Sequence, residues 1–351
     1  MTCEQTLIEQ LQAATAGRTP LAIQGGGSKA FYGRACEAQP CLVGAHSGVI
    51  DYTPAELVIS ARAGTPLAEL EAVLEQEGQM LAFEPPHFGT AATLGGTIAC
   101  GLSGPRRPYS GAARDFVLGV RCLNGKGEML RLGGQVMKNV AGYDLSRLLT
   151  GSLGTLAVLL DIHLKVLPRP ETEVTLQQAC TAEEAVLRCN RWAGQPLPLS
   201  GACHSDGRLY LRLSGSARGV AAAAATIGGD SCDADPGFWK ALREQQLPFF
   251  LDDTPLWRLS VPPAAAGINI EGQQMLDWGG AQRWLKSHAP GGHIRDILTA
   301  TGGHATLYRN GDRSGAVFQP LPPGMLALHR RLKQSFDPAG ILGPGRMYAE
   351  L

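Results

Sequence analysis

The chain has 351 residues, 44% of them hydrophobic and 18% charged, enough apolar material for two ordinary globular cores. Lys and Arg together number 31, as do Asp and Glu, so the formal net charge is +0 and the main electrostatic reason to expect a nucleic-acid partner is absent. The nine cysteines are odd in number and include no C-x-x-C pair, which points to reduced thiols in a cytosolic protein and away from a disulfide framework, a zinc ribbon or an iron–sulfur cluster held by this chain alone.

Residues 4–16 are predicted helical, with Leu7, Ile8 and Leu11 at helical spacing and Gly17 as the stop. This N-terminal stretch carries acids and no apolar run long enough for a signal peptide. Nowhere do 18 apolar residues run together, so no membrane span is expected. Residues 20–24 form a short strand feeding Gly25-Gly26-Gly27-Ser28-Lys29. LVISARA at 57–63 reads as a strand. Thr65 then caps a helix with Pro66 at its first position, an apolar face of Leu67, Leu70, Val73 and Leu74, and Gly78 at its end. MLAF at 80–83 reads as a strand running into Pro85-Pro86, and 86–111 are rich in glycine.

FVLGVRCL and EMLRL flank Asn124-Gly125-Lys126-Gly127, the signature of a β-hairpin. Residues 138–156 read as a short helix and a glycine turn, and 157–168 as a long strand that Pro168 and Pro170 end at a boundary. A capping box, Thr181-x-x-Glu184, opens a helix reaching about Trp192. Strands are expected at GRLYLRLSG and within 256–263, 268–285 and 305–311, with a helix at the alanine run 221–225. A last helix, 325–336, aligns Met325, Leu328, Leu332 and Phe336, and the tail FDPAGILGPGRMY follows.

Three ligand readings compete for the first glycine loop. A nucleotide-triphosphate loop needs Gly-Lys-Ser/Thr, whereas the order here is Gly-Ser-Lys-Ala. A dinucleotide fingerprint is matched loosely by Gly25-x-Gly27-x-x-Ala30 with Asp51 beyond. That reading needs a βαβ unit, and Gly33, Pro40, Gly44, Gly48 and Pro54 interrupt 31–56. The third reading joins three glycine-rich segments around one extended ligand. A pyrophosphate takes bare N–H donors, and a planar ring takes close backbone. Small residues at Ala91, Ala92, Gly95, Gly96, Ala99, Gly101 and Gly104 leave room for it.

AIQGGGSK, AELVISARAGTPLAELEAVLEQEGQMLAFEPP, ATLGGTIACGLSGPRRPYSGAARDFVLGV and KNVAGYDLSRLLTGSLGTLAVLLDIHLKV together resemble the FAD-binding domain of the vanillyl-alcohol oxidase and p-cresol methylhydroxylase flavoproteins. LWRLSVP and DWGGAQRW also look like the FAD-binding subunits of bacterial glycolate oxidases. The resemblance covers residues 18–170 and the tail FDPAGILGPGR. It implies an α+β fold in three parts: a two-part FAD-binding domain over 1–170, a cap-like α+β domain over 171–320 for substrate or partner, and a C-terminal helix and tail, 321–351, returning to the FAD domain.

By this resemblance Gly25, Gly26, Gly27, Ser28 and Lys29 would wrap the FAD pyrophosphate. Thr93, Leu94, Gly95, Gly96 and Thr97, with Gly101 and Gly104, would lie near the ring and ribityl chain. Gly151, Ser152, Gly154 and Thr155 would form a third segment, and Ile162 would meet the adenine end. Lys138, Asn139, Tyr143 and Asp144 read equally as support for the flavin pocket or as a polar face with one core tyrosine. Arg106, Arg107 and Arg114 read as phosphate counter-charges or as a solvated basic loop. Some family members tether FAD through a histidine. Ser28 and Lys29 stand where one would be, so the FAD is expected to be non-covalent, with His46 and His87 structural.

Oxidation of a 2-hydroxy acid needs a cation for the carboxylate, a base for the hydroxyl proton and a hydride acceptor. Catalytic relatives carry a histidine metal site and a Glu-His-Gly. This set is not found here, His304 being the closest remnant with Gly303 in the glutamate's place. Arg258 and Arg283 are the weak candidates for a carboxylate clamp, against surface ion pairs as the plain reading. His288, His293 and His304 are spaced as no compact zinc motif is, so no metal is expected. The resemblance thus implies an FAD-binding subunit of a glycolate oxidase complex, working with a larger paralogous FAD-binding subunit and an iron–sulfur subunit. That complex would be cytoplasmic or held peripherally at the inner face of the cell membrane. The alternatives are a non-catalytic relay or structural subunit, a stand-alone oxidoreductase of another 2-hydroxy acid, and a module with an empty flavin site.

Overall fold

The Thr2 hydroxyl accepts a hydrogen bond from the Gln5 amide and opens the helix Cys3–Gly17, which buries Leu7, Leu11 and Ala14. Arg18, in the left-handed region at φ 49°, ends it where Gly17 was expected to. The computed structural model describes residues 2–134, 144–231 and 237–351, which form two units. The first comprises 1–102, 112–168 and 313–351, and the second 103–111 and 169–312. Residues 103–111, expected in the first domain, therefore belong to the second unit.

In the first unit, Leu21–Gln24 pairs in parallel with Gln39–Leu42. No helix connects them, so the βαβ unit that the dinucleotide fingerprint requires is not formed, and Asp51 lies exposed on a separate antiparallel strand. A five-stranded antiparallel sheet runs in the order Val49–Thr53, Val58–Arg62, Val158–Lys165, Val117–Leu123, Met129–Gly133. Its middle strand is covered on both faces, and Leu160, Ile162 and Leu164 join Ile59, Leu70, Phe83, Ile98 and Phe116 in one core.

The expected hairpin is Val117–Leu123 with Met129–Gly133, its turn held by the Asn124 carboxamide oxygen accepting from the Lys126 and Glu128 amides. The helix Leu67–Gln76 has Pro66, not Thr65, at its cap, because the Thr65 hydroxyl instead accepts from the Gly48 amide at 2.9 Å. The strand expected at 80–83 shrinks to Gln79–Met80, paired with Leu167–Pro168. Beyond it Pro85 and Pro86 have no amide to donate, and Glu84 turns the chain at φ 47°.

The helix Pro323–Phe336 also belongs to this unit, but its buried residues are Lys333 and Phe336, while Met325 and Leu328 are 46% and 41% exposed. The apolar stripe expected there is thus broken. The helix end is instead fixed by its partners: Gly125 donates to the Phe336 carbonyl, and a Cβ on Gly125 would stand 2.4 Å from an Asp337 oxygen.

The second unit is one eight-stranded antiparallel sheet in the order Asp230–Ser231, Thr172–Ala179, Arg208–Gly215, Leu199–Ser205, Gln273–Asp277, Gln282–Lys286, Leu256–Ser260, His304–Arg309. The helices Ala182–Ala193, with its Thr181–Glu184 capping box, and Ala217–Ile227 cover one core, and Gly291–Ala300 another. Residues 103–111 join this unit through specific bonds. Arg106 pairs with Glu173 at 2.6 Å, Arg107 lies 4.4 Å from the Trp278 ring centre, and the Trp278 indole donates to the Gly104 carbonyl. Among the described residues no helix is long and apolar enough to cross a membrane.

Candidate functional site

The strand Leu21–Gln24 delivers the three glycines to the wall of a cleft in the first unit. Gly25 and Gly26 are required by close approach: a Cβ on Gly25 would stand 2.3 Å from the Thr93 hydroxyl, and one on Gly26 1.5 Å from the Ala91 carbonyl oxygen. Gly27 is required by its backbone, at φ +74°. The loop is closed by Val43 donating to Gln24 and Ala30 donating to Gly27. Among the described residues, the amides of Gly26, Gly27 and Ser28 donate to no backbone carbonyl. Such a run of bare amides makes an anion-binding concavity.

The second wall is the helix Leu94–Cys100, whose Thr93 cap accepts from Gly96. Its Gly95 amide donates to Ala63 at 2.7 Å, so closely that a Cβ there would meet the Ala63 methyl at the same distance. The third is the turn after Leu149. Gly151 donates to Ile98 and Leu153 to Ala99, which brings Leu153 and Gly154 to the cleft. The fourth is the C-terminal tail: Leu21 donates to Ile341 and Gly343 donates back to Leu21, placing Gly343 and Arg346 in the lining.

The cleft holds about 200 Å³ and opens to solvent at its mouth. Val43, Ala63, Ala99, Ala157 and Leu159 make it apolar on one side. Among the described residues two cations, Lys29 and Arg346, line it, and no carboxylate does. Lys29 is buried, its ammonium 3.3 Å from the His87 carbonyl oxygen. Burial pushes the Cys100 thiol up to about 11, with the Lys29 and Arg346 charges pulling the other way.

Of the residues singled out in the sequence, Gly25, Gly26, Gly27, Ser28, Lys29, Thr93, Gly95, Gly96 and Gly154 line this one cleft. Gly101, Gly151, Ser152 and Thr155 frame it: a Cβ on Gly101 would meet Gly151 at 3.0 Å, and the Ser152 and Thr155 hydroxyls close the turn on Leu149 and Ser152. Leu94, Thr97 and Ile162 are core residues, fully buried. Gly104 belongs to the second unit. Lys138, Asn139 and Tyr143 lie outside the described residues, while Asp144 caps a short helix by accepting from the Arg147 amide. Sequence reasoning missed Cys36, Val43, Ala157, Leu159, Gly343 and Arg346.

The basic candidates resolve differently. Arg106 and Arg107 hold residues 103–111 to their own unit, as described, and Arg114 is exposed beside Asp115. Arg283 is 2% exposed and donates to the Ala265, Ala266 and Gly280 carbonyls, so its guanidinium braces a loop and is not open to a substrate carboxylate. Arg258 lies over the Tyr308 ring at 5.7 Å. His304 pairs across the sheet with Ser260, its imidazole held below the ordinary value by desolvation and the neighbouring Arg258 charge. His46 bonds Asp161 and His87 bonds Glu71, each at 3.0 Å. Among the described residues no three His, Cys, Asp or Glu side chains gather as a metal site.

The cleft fits FAD on its own geometry: an anion nest with two cations, an apolar side, and walls that a single added Cβ would fill. Comparison with known proteins agrees. The FAD binding domain family matches residues 1–133. The chain is 51% identical to the glycolate oxidase subunit GlcE of Escherichia coli (strain K12) over 347 residues, 99% of this chain and 98% of that protein. It is 38% identical to the glycolate oxidase subunit GlcD of Bacillus subtilis (strain 168) over 108 residues, 30% of this chain and 23% of that one. A solved structure of alkyldihydroxyacetonephosphate synthase shares the fold, with a TM-score of 0.69 at 16% identity, covering 96% of this chain and 75% of that one. With the cleft described and a near full-length relative at this identity, the protein belongs to the FAD-dependent oxidoreductase family of the glycolate oxidase subunit GlcE.

Proposed function

We propose that this chain is the FAD-holding subunit of a glycolate-oxidising complex, in which a larger paralogous flavin subunit and an iron–sulfur subunit are its partners and glycolate becomes glyoxylate. The observation that carries the reading is the cleft in which bare amides at Gly26, Gly27 and Ser28 meet, among the described residues, two cations and no carboxylate. When bound, FAD supplies an acceptor and donor of electron pairs. The chain's own residues do the rest. The amides bind the diphosphate, Lys29 and Arg346 balance its charge, and Val43, Ala157 and Leu159 keep water from the apolar part. Among the described residues no histidine lines the cleft, and Ser28 and Lys29 occupy the glycine loop, which supports non-covalent attachment.

Within this reading the chain relays electrons, and the 2-hydroxy acid is oxidised on the partner flavin subunit. The engagement of Arg283 by three carbonyls supports the relay. The test is the visible spectrum of the purified chain. Flavin bands are expected, with all colour passing into the supernatant on denaturation. Glycolate added without air is expected to leave the isolated chain yellow and to bleach the assembled complex. Bleaching of the isolated chain would assign it the chemistry, and a colourless folded chain that takes up no FAD would end the reading.

A further inference from the structure

The tail after the last helix is built into the cleft from three directions. The carboxylate of Asp337, fully buried, accepts from the Ile341 and Leu342 amides, and the Lys333 ammonium bridges the Leu342 and Thr155 carbonyls. Residue 342 forms a parallel bridge with Leu21 at the foot of the glycine loop. Arg346 then reaches over residues 30–34, donating to the Ala30, Tyr32 and Arg34 carbonyls.

The charge balance of this corner is one-sided. Arg34 donates to the Ser314, Gly315 and Gly345 carbonyls, and Arg313 to those of Ala30, Gly33 and Arg34. Three guanidinium groups thus gather on carbonyl oxygens, and among the described residues none of the three pairs with a carboxylate. Carbonyl dipoles offset part of this charge, and the Leu351 carboxyl oxygen accepts from the neighbouring Gly345 amide without pairing with any of the three. Arg346 is the member of the group that lines the cleft with Lys29 and the bare amides. Its Nη atoms are held by carbonyls as those of Arg283 are, but its Nε donates to none of them and the residue borders open space, whereas Arg283 is fully enclosed with Nε also engaged.

Resting on the reading of the cleft as an FAD site, we propose that Arg346 supplies the guanidinium counter-charge for the FAD diphosphate, so that docking of residues 341–346 and cofactor binding are coupled. The tail is then a working wall of the site, and whatever holds the diphosphate also holds the tail down.

Arg346 is the only Lys or Arg after Lys333, so the Arg346–Met347 bond is the single tryptic site of the tail. Cleavage there removes Met347–Leu351 and is read by intact mass. The full-length chain is compared holo, stripped of flavin, and stripped with ADP added, ADP carrying the diphosphate without the ring. Cleavage is expected at least tenfold faster in the stripped chain than in the holo chain, with ADP restoring most of the protection. Equal rates with and without bound FAD would overturn the coupling while leaving the cofactor site intact. Failure of FAD and ADP to bind at all would overturn the site and the coupling together.

In a second arm, FAD affinity of Arg346→Gln is measured across ionic strengths. A weaker affinity with a shallower salt dependence is expected, since one charge contact is lost. An affinity that falls with the salt dependence unchanged would assign Arg346 to bracing the 30–34 loop alone and overturn the counter-charge role.

Discussion

Asp337 and Lys333 show what one buried pair does here. Both are buried, and their bonds join the helix end to the tail and, through the Thr155 carbonyl, to the third glycine turn. Burial holds the Lys333 ammonium below its ordinary value, Asp337 opposing that. Lys333→Met keeps the stem and deletes the charge, leaving Asp337 uncompensated. It is expected to destabilise the protein by about 3–5 kcal/mol, measured by urea unfolding, because breaking a buried pair costs more than never having made it. A loss under 1 kcal/mol would mean that the tail is not anchored there.

A second residue-scale expectation concerns acid. Burial would raise the Asp161 carboxyl, but hydrogen bonds from His46 and Arg121, and their charges, overcome it and hold it below its ordinary value. Glu173 is held low against burial in the same way by Arg212, Ser214 and Arg106. A carboxyl whose folded value is depressed stabilises the fold fully above its unfolded value and loses that contribution as pH falls through the folded one. Desolvation holds His163 below 6.5, so folding favours its neutral form and loses stability as pH falls below 6.5. Between neutrality and about pH 8 none of these groups titrates, so the urea midpoint is expected to be flat there, to decline first below about 6.5 and again below about 4. His163→Gln should shrink the first decline, whose remainder belongs to His304, and leave the second unchanged; an undiminished first decline in that variant would contradict the assignment.

At the scale of elements, the crossing of the first glycine loop by Ala91 and Thr93 is the tightest contact of the site. Gly26→Ala forces the two segments apart, since a carbonyl oxygen stands where the methyl would go. The variant is expected to lose bound flavin by at least tenfold on gel filtration while keeping its far-ultraviolet dichroism. Full flavin retention would show that the loop relaxes freely.

The loop was legible in the sequence because bare amides announce an anion. The steric reason for Gly25 and Gly26 was not, because it lies about 65 residues away in the chain. The hairpin around Asn124 and the capping box at Thr181 were legible because each is local. The cap at Thr65 was misread because a tertiary partner, the Gly48 amide, claims that hydroxyl. Arg283 carried an unused signal: it alternates with core Leu285 on a strand, which places it on the buried face and not at a substrate. Nothing local in GPGR marks Arg346.

Over the whole molecule, the cleft proposed to hold FAD takes most of its lining from four separated stretches of one unit, around residues 22–30, 93–100, 153–159 and 343–346. Adding FAD to the stripped chain is expected to slow backbone hydrogen exchange in all four together. Protection confined to 25–29 would mean that the cleft is not one site. The sequence carried the first three stretches as glycine clusters, and the family resemblance extended to the tail that supplies the fourth, though not to Gly343 and Arg346 as site residues. Residues 103–111 were misassigned because Gly104 reads as one more loop glycine, whereas the Trp278 indole and Glu173 hold that segment in the other unit.

The first unit is discontinuous in the chain, and this has a consequence for biosynthesis. The strand that carries the glycine loop, Leu21–Gln24, has residues near position 342 as a neighbour, and these are translated long after it. The 103–111 and 169–312 unit is translated before them. The fourth wall of the cleft is therefore missing until residue 346 has been made, and flavin uptake is expected to wait for it; chains cut short before residue 341 should take up no flavin.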